Sequence, residues 1–399
     1  MLGQFATNAA PFTENASANN LPSGSFPTEA FNILAANASA GASLRIPYIQ
    51  PNPARNYVMQ WNLNVQRELA SNLTAMVGYV GSRGVHMIFR ADDINTTLPL
   101  QTTAPPYVWV TATTLSPLIG QMDTLQWNND SFFNGLEVQI QKRMSRGFEV
   151  QGSYTYSRAI DGGDGSIASD SFLNSIPSLL FFLPKYRRAA SDFNVGQNLT
   201  VNYNWNVPTP HSFTGPATWA ARGWQLGGIL TMRTGLPFTP LIGGDPLGLG
   251  NTSPFDYPDR VRGSGCGSLV NTGNPNNYIK LQCFALPAAT PSIAAQCVPF
   301  SGASGNTCSN LLGNGGRNEI YGPGMVDFDF SVFKDNKIRE NMTLQFRAEF
   351  FNVFNHSNFN PPIDNSTVFD QTGAPIPGAG VIDSSADNRQ IQFALKLSF

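Results

Sequence analysis

The feature that most constrains this chain is a parity in the lengths of its connections. Runs that alternate apolar and polar residues occupy 57–69, 73–82, 133–144, 148–158, 195–207, 224–235, 325–334, 342–351 and 389–399. The links at 70–72, 145–147, 208–223 and 335–341 are short or moderate, whereas those at 83–132, 159–192, 236–324 and 352–388 are long. A period of two sustained over such runs predicts strands. Nothing in a soluble sandwich makes every second loop long. A β-barrel that crosses a membrane requires it, with strands of about 9–11 residues, tight turns on one side and long loops on the other.

The two faces of each run fit that frame. In the closing stretch "RQIQFALKLSF", Ile391, Phe393, Leu395, Leu397 and Phe399 share one face, and Gln390, Gln392, Lys396 and Ser398 share the other. Leu136, Val138 and Ile140 likewise alternate with Glu137, Gln139 and Gln141. The apolar face suits lipid and the polar face a watery lumen. Phe148, Trp205, Trp224 and Phe399 fall at the short-turn end, and Tyr57, Tyr79, Tyr156 and Phe350 at the long-loop end, as two interfacial aromatic girdles. The triplet "SRG" at 145–147 predicts a three-residue turn that pairs Met144 with Phe148 and sets Arg143 opposite Glu149 across the lumen face. A turn centred near Ile338 sets Asp329 against Arg347.

Composition excludes other classes. Charged residues are 13% of the 399, the net charge is −2 and no basic block occurs, so no nucleic-acid partner is expected. No apolar run approaches the roughly 18 residues of a transmembrane helix. The four cysteines, Cys266, Cys283, Cys297 and Cys308, cluster within one long link. Their spacing matches no common zinc pattern, and an even count in a loop predicts two disulfides, the connectivity left open.

Five stretches carry a family likeness: "YVMQWNLNVQREL…GYVGSRGVHM" (57–87), "FNGLEVQIQKRMSRGFEVQGSYTYSRAID" (133–161), "GWQLGGILTMRTGLPFT" (223–239), "GNGGRNEIYGPG" (313–324) and "LQFRAEFFNVFNHSNF" (344–359). Together they resemble the C-terminal barrel of Oar-like TonB-dependent transporters, from about residue 46 to 399. The resemblance implies an all-β, antiparallel transmembrane barrel in the outer membrane of a Gram-negative bacterium. This chain supplies about nine of about 22 strands, with no plug domain. Residues 1–55 then read as a loop or an incomplete preceding barrel segment, 56–399 as the C-terminal barrel part, and 236–324 as a long extracellular loop with the cysteines. An odd strand number predicts a truncated chain whose Met1 is not the native start. The final strand resembles the segment by which barrel-assembly machinery recognises its clients. The implied partners are outer-membrane lipid, that machinery, the TonB system through the missing plug region, and an unidentified extracellular ligand.

No enzyme is expected, and no catalytic, cofactor or metal site is assigned. His86, His211 and His356 stand far apart beside turns. "GNGGRNEIYGPG" lacks the lysine and hydroxyl of a phosphate loop and reads as glycines setting a loop-to-strand entry. "DGGDGSIASD" at 161–170 has acidic residues among glycines but lacks the closing glutamate of a calcium loop, so a solvated loop is the better reading. The functional expectation is TonB-dependent transport of a large substrate. Its alternatives are a structural or adhesive surface barrel and a secreted carbohydrate-binding β-protein.

Overall fold

The computed structural model describes residues 32, 48–91, 93–111, 114–116, 122–163, 181–182, 187–209, 214–249 and 256–399. Within them, nine long strands form one antiparallel path. They are β1 (Tyr57–Ala70), β2 (Leu73–Ala91), β3 (Thr124–Ser145), β4 (Phe148–Asp161), β5 (Gln197–Asn206), β6 (Trp224–Arg233), β7 (Met325–Arg339), β8 (Met342–Phe351) and β9 (Gln390–Ser398). Each pairs with its neighbours in sequence, so the sheet is a meander. β1 and β9 are its two edges and do not pair with each other among the described residues, which leaves the sheet open.

The parity of the links survives, but their bounds shift. Ser71–Asn72, Arg146–Gly147, Glu340–Asn341 and the stretch 207–223, with its helix Pro216–Ala221, lie at one end. The links 92–123, 162–196, 234–324 and 352–389 lie at the other. β2 and β3 reach well into the span expected to be loop. At 22 residues β3 is about twice the length that crosses a bilayer. The alternation fades there because Gly81, Ser82 and Gly84 interrupt it, although backbone pairing continues.

Turn geometry moves both hairpins off the expected register, and among the described residues neither lumen pair is made as an ion pair. Arg146 and Gly147 both adopt positive φ, 50° and 79°, which makes a two-residue turn whose twist matches the strands. Ser145 therefore pairs with Phe148, and a bulge after Lys142 places Arg143 and Met144 together across from Glu149. Glu149 instead accepts a 2.7 Å hydrogen bond from Asn204 on β5. In the other hairpin the turn is Glu340–Asn341, two residues beyond the expected centre, so Arg347 faces Phe333 and Ser331 faces Glu349. Asp329 accepts from the backbone N–H of Asn352, and the Arg347 guanidinium lies 5.5 Å from the Phe333 ring centroid.

Burial is distributed unlike that of a soluble β-protein. All of β1 is exposed, and on β9 Phe393 and Leu395 keep 66% and 71% of their surface. β9 pairs Leu344 with Leu397, Phe346 with Leu395, Ala348 with Phe393 and Phe350 with Ile391, and Phe399 lies beyond the pairing. The hydrophobic core sits in the links. One cluster gathers Phe238, Ile279, Cys283, Phe284, Ile320 and Val368; a second Tyr107, Trp109, Leu241, Leu249 and Tyr257; a third Val108, Ala289, Ile293, Cys308 and Leu311. Together the folded links make a cap on the long-link end of the sheet.

Candidate functional site

The polar centre of the cap is built where β4 ends. "SRAID" delivers Asp161 at the last residue of that strand, and "SDFN" returns Ser191, Asp192 and Asn194 from the following link. Between them enters "GRN" from the link before β7. The guanidinium of Arg317 donates to Asp192 at 2.8 Å, to the Asp161 carbonyl at 3.1 Å, and closely to the Asp161 carboxylate. Asn318, at a φ of 56°, donates to the Ala190 carbonyl at 2.8 Å and to Asp192. Its backbone N–H reaches the Thr239 hydroxyl at 2.9 Å. Ser191 donates to Asp161, and Asn194 accepts from the Ala159 N–H at 2.7 Å.

Glycines permit this approach. A Cβ on Gly313 would overlap the Tyr257 carbonyl, so only glycine lets the segment before Arg317 lie against that backbone. Beside it, Asp256 is wholly buried and accepts from the N–H groups of Tyr257 and Gly313 at 2.6 and 3.3 Å. Burial holds its carboxyl well above the usual carboxylate range, with the two backbone donors pulling the other way.

A cavity of about 510 Å³ opens against this hub, lined by Phe89 from β2, Pro106 and Tyr107 from the next link, Arg187, and Leu312 and Arg317. Arg187 is 5% exposed and stacks on Phe89 with its guanidinium carbon 3.5 Å from the ring centroid. It donates to Asn128 at 3.2 Å, while its Nε and Nη1 have no hydrogen-bond partner among the described residues. Burial first, and the nearby Arg317 second, bring its pKa down to about 10, so it stays charged at neutral pH. Burial pushes the Tyr257 phenol up to about 12. The wall thus combines aromatic and proline surface with guanidinium groups, a surface for holding a partly apolar solute with polar or anionic groups.

The structure pairs Cys266 with Cys283 and Cys297 with Cys308, at Cα separations of 5.5 and 5.0 Å. The first bridge lies in the Ile279 cluster and the second in the Val108 cluster. The acidic loop at 161 is not an open calcium loop at its first ligand, because Asp161 is taken up by Arg317, Ser191 and the Gly163 N–H; residues 164–170 lie outside the described residues. His86 contacts the Arg55 carbonyl, His356 contacts Asn358, and His211 lies outside the described residues. Among the described residues no group of His, Cys, Asp and Glu is placed to hold a metal.

Sequence reasoning missed Arg317, Asn318 and Arg187. In "GNGGRNEIYGPG" it weighed the glycines for their backbone and passed over the arginine. The available signal was a charge held between glycines and a buried Ile320 in a chain poor in charge.

No curated protein matches the chain in sequence. Among solved structures it is similar to the outer membrane transporter YddB from Escherichia coli, at 10% identity and a TM-score of 0.42, over 89% of this chain and 34% of that one. It is also similar to the ferripyoverdine receptor of the Pseudomonas aeruginosa outer membrane, solved with ferripyoverdine bound, at 10% identity and a TM-score of 0.37, over 86% of this chain and 27% of that one. The chain therefore spans about a third or less of the length of these solved proteins. Residues 2–392 match the family described as outer membrane beta barrel domain, so the chain belongs to that family and is a protein of the outer membrane.

Proposed function

We propose that residues 56–399 form the C-terminal barrel part of an Oar-like, TonB-dependent receptor that takes up a large solute. In this reading the long links face outside, the cavity beside Arg187 and Arg317 captures the solute, and the polar strand faces line its route. A plug domain and the contact with the TonB system belong to the rest of the receptor. The complete barrel has about 22 strands, with further strands meeting β1 and β9. The observation that carries the reading is the cavity's place, lined by three of the four long links within a cap over one end of the sheet. Binding and passage are its work, and no reaction is assigned to it.

A cap held by its own cores and two disulfides also suits an adhesive barrel that binds without transport. Crosslinking of the full-length receptor, folded in outer-membrane vesicles, to a purified TonB C-terminal domain separates the two. Transport predicts a specific crosslink on the periplasmic side. A folded receptor that gives none supports adhesion.

A further inference from the structure

A cluster of arginines on the outward face plays no part in the cavity. Across the sheet, Arg83 on β2 pairs with Phe132 on β3, and Asn134 on β3 pairs with Arg158 on β4. Nearer the short turns, four residues from the first pair and two from the second, Tyr79 pairs with Leu136 and Leu136 with Tyr156. Since side chains alternate along a strand, Arg83, Phe132 and Arg158 share the face of Tyr79, Leu136 and Tyr156, which is the lipid face. Arg188 joins them from the link after β4. The guanidinium carbons of Arg83 and Arg188 lie 5.1 and 4.3 Å from the centroid of the single Phe132 ring.

These cations lack counter-charges. Among the described residues no ion pair joins Arg83, Arg158 or Arg188 to a carboxylate, and the Arg83 Nε has no hydrogen-bond partner. The nearby acids do not fill the role: Asp161 points to the opposite face and is held by Arg317, and exposed Asp130, two residues beyond Phe132, forms no ion pair among the described residues. Gathering like charges around one ring at the edge of a low-dielectric layer is unfavourable unless an anion joins them.

The height of the cluster indicates which anion. Arg158 lies two residues beyond Tyr156 and Arg83 four beyond Tyr79. At about 3.3 Å per residue and a strand tilt near 45°, that is roughly 5–10 Å above the tyrosine row. With Tyr79 and Tyr156 marking the hydrocarbon boundary, Arg158 falls within the headgroup layer, about 5–7 Å thick, and Arg83 at its outer edge, within side-chain reach of it. Guanidinium groups pair with phosphate through two parallel hydrogen bonds.

We propose that Arg83 and Arg188, stacked on Phe132, together with Arg158 on the same face, bind the phosphate of a phosphorylated glycolipid of the outer leaflet, whose acyl chains lie along Tyr79, Leu136 and Tyr156. The proposal rests on the reading that the long links face outside. Its test uses the full-length receptor in dodecyl maltoside, titrated by native mass spectrometry with bis-phosphorylated lipid A and with the same lipid dephosphorylated. Wild type is expected to prefer the phosphorylated form at least tenfold. The triple variant R83Q/R158Q/R188Q is expected to lose that preference, while R339Q at the short-turn end keeps it. Should the triple variant misfold, Arg158→Gln alone, at an exposed position, is expected to lower the preference severalfold. Equal binding of both lipids by wild type, or an unchanged preference in the folded variants, overturns the proposal. Protease added to intact cells tests the orientation separately: cleavage within the long links upholds it, and protection of those links overturns the orientation whatever the lipid result.

Discussion

On β1 and β9, Leu63, Val65, Phe393 and Leu395 keep about two-thirds of their surface, whereas Val108, Ile279 and Cys283 in the links are sealed. The strands are the more regular half of the chain and the links the less regular, yet the core belongs to the links. In a protein of the outer membrane, the continuous apolar face of a sheet of nine long strands is satisfied by lipid. The cap is built for water, with apolar clusters inside, two disulfides, and a charge pair shielded at its centre. The contrast teaches that the two regions draw stability from different sources and should fail separately.

The strongest blow to the cap alone is Arg317→Ala. It removes the Arg317 guanidinium from buried Asp161 and Asp192, and breaking a buried pair on one side costs about 3–5 kcal/mol. Limited proteolysis of the folded full-length receptor is expected to cut rapidly within 162–196 and 234–324 while β3–β8 stay protected. Simultaneous loss of strand protection would show that the two regions are one cooperative unit. Next in size is Cys297→Ser with Cys308→Ser. The bridge closes a span of 11 residues, and a short-loop disulfide contributes about 2–3 kcal/mol. Hydrogen exchange is expected to quicken around Ala289–Leu311 and to stay unchanged in the strands.

The smallest expected effect is a gain. Because the folded pKa of Asp256 is raised, the unfolded chain loses this proton above pH 3.8 while the cap retains it. Cap stability therefore falls as pH rises through that window, by up to about 1.4 kcal/mol per unit. Asp256→Asn removes the slope, though its amide replaces an oxygen that has no partner among the described residues, which offsets much of the gain. A net stabilisation on the order of 1 kcal/mol at pH 7 is expected by thermal unfolding of the cap, vanishing toward pH 3.8. A variant less stable at pH 7 than at pH 4, relative to wild type, would contradict the sign.

The sheet was legible because its signal is local. Alternation along each run set which residues share a face, and the lengths of the links set the two ends of the sheet. What alternation leaves open is register, which depends on the turn. The tight Glu340–Asn341 turn set Arg347 opposite Phe333 in place of Asp329, and the two-residue turn with Arg146 in a left-handed conformation set Ser145 in place of Met144 opposite Phe148. The hub was illegible for another reason. Arg317 stands 125 residues from Asp192 and 156 from Asp161, and no local pattern marks partners so far apart. The cysteines were read correctly as bridges because four in one link is itself a local signal.

The account rests on the claim that the outward face of the sheet meets lipid and the other face water. Spin labels placed singly at residues 136–141 of β3, in the full-length receptor within outer-membrane vesicles, test it through collision with oxygen and with a water-soluble nickel chelate. The account predicts a period of two, with oxygen favoured at Leu136, Val138 and Ile140 and nickel favoured at Glu137, Gln139 and Gln141. Equal nickel access along all six positions would contradict it.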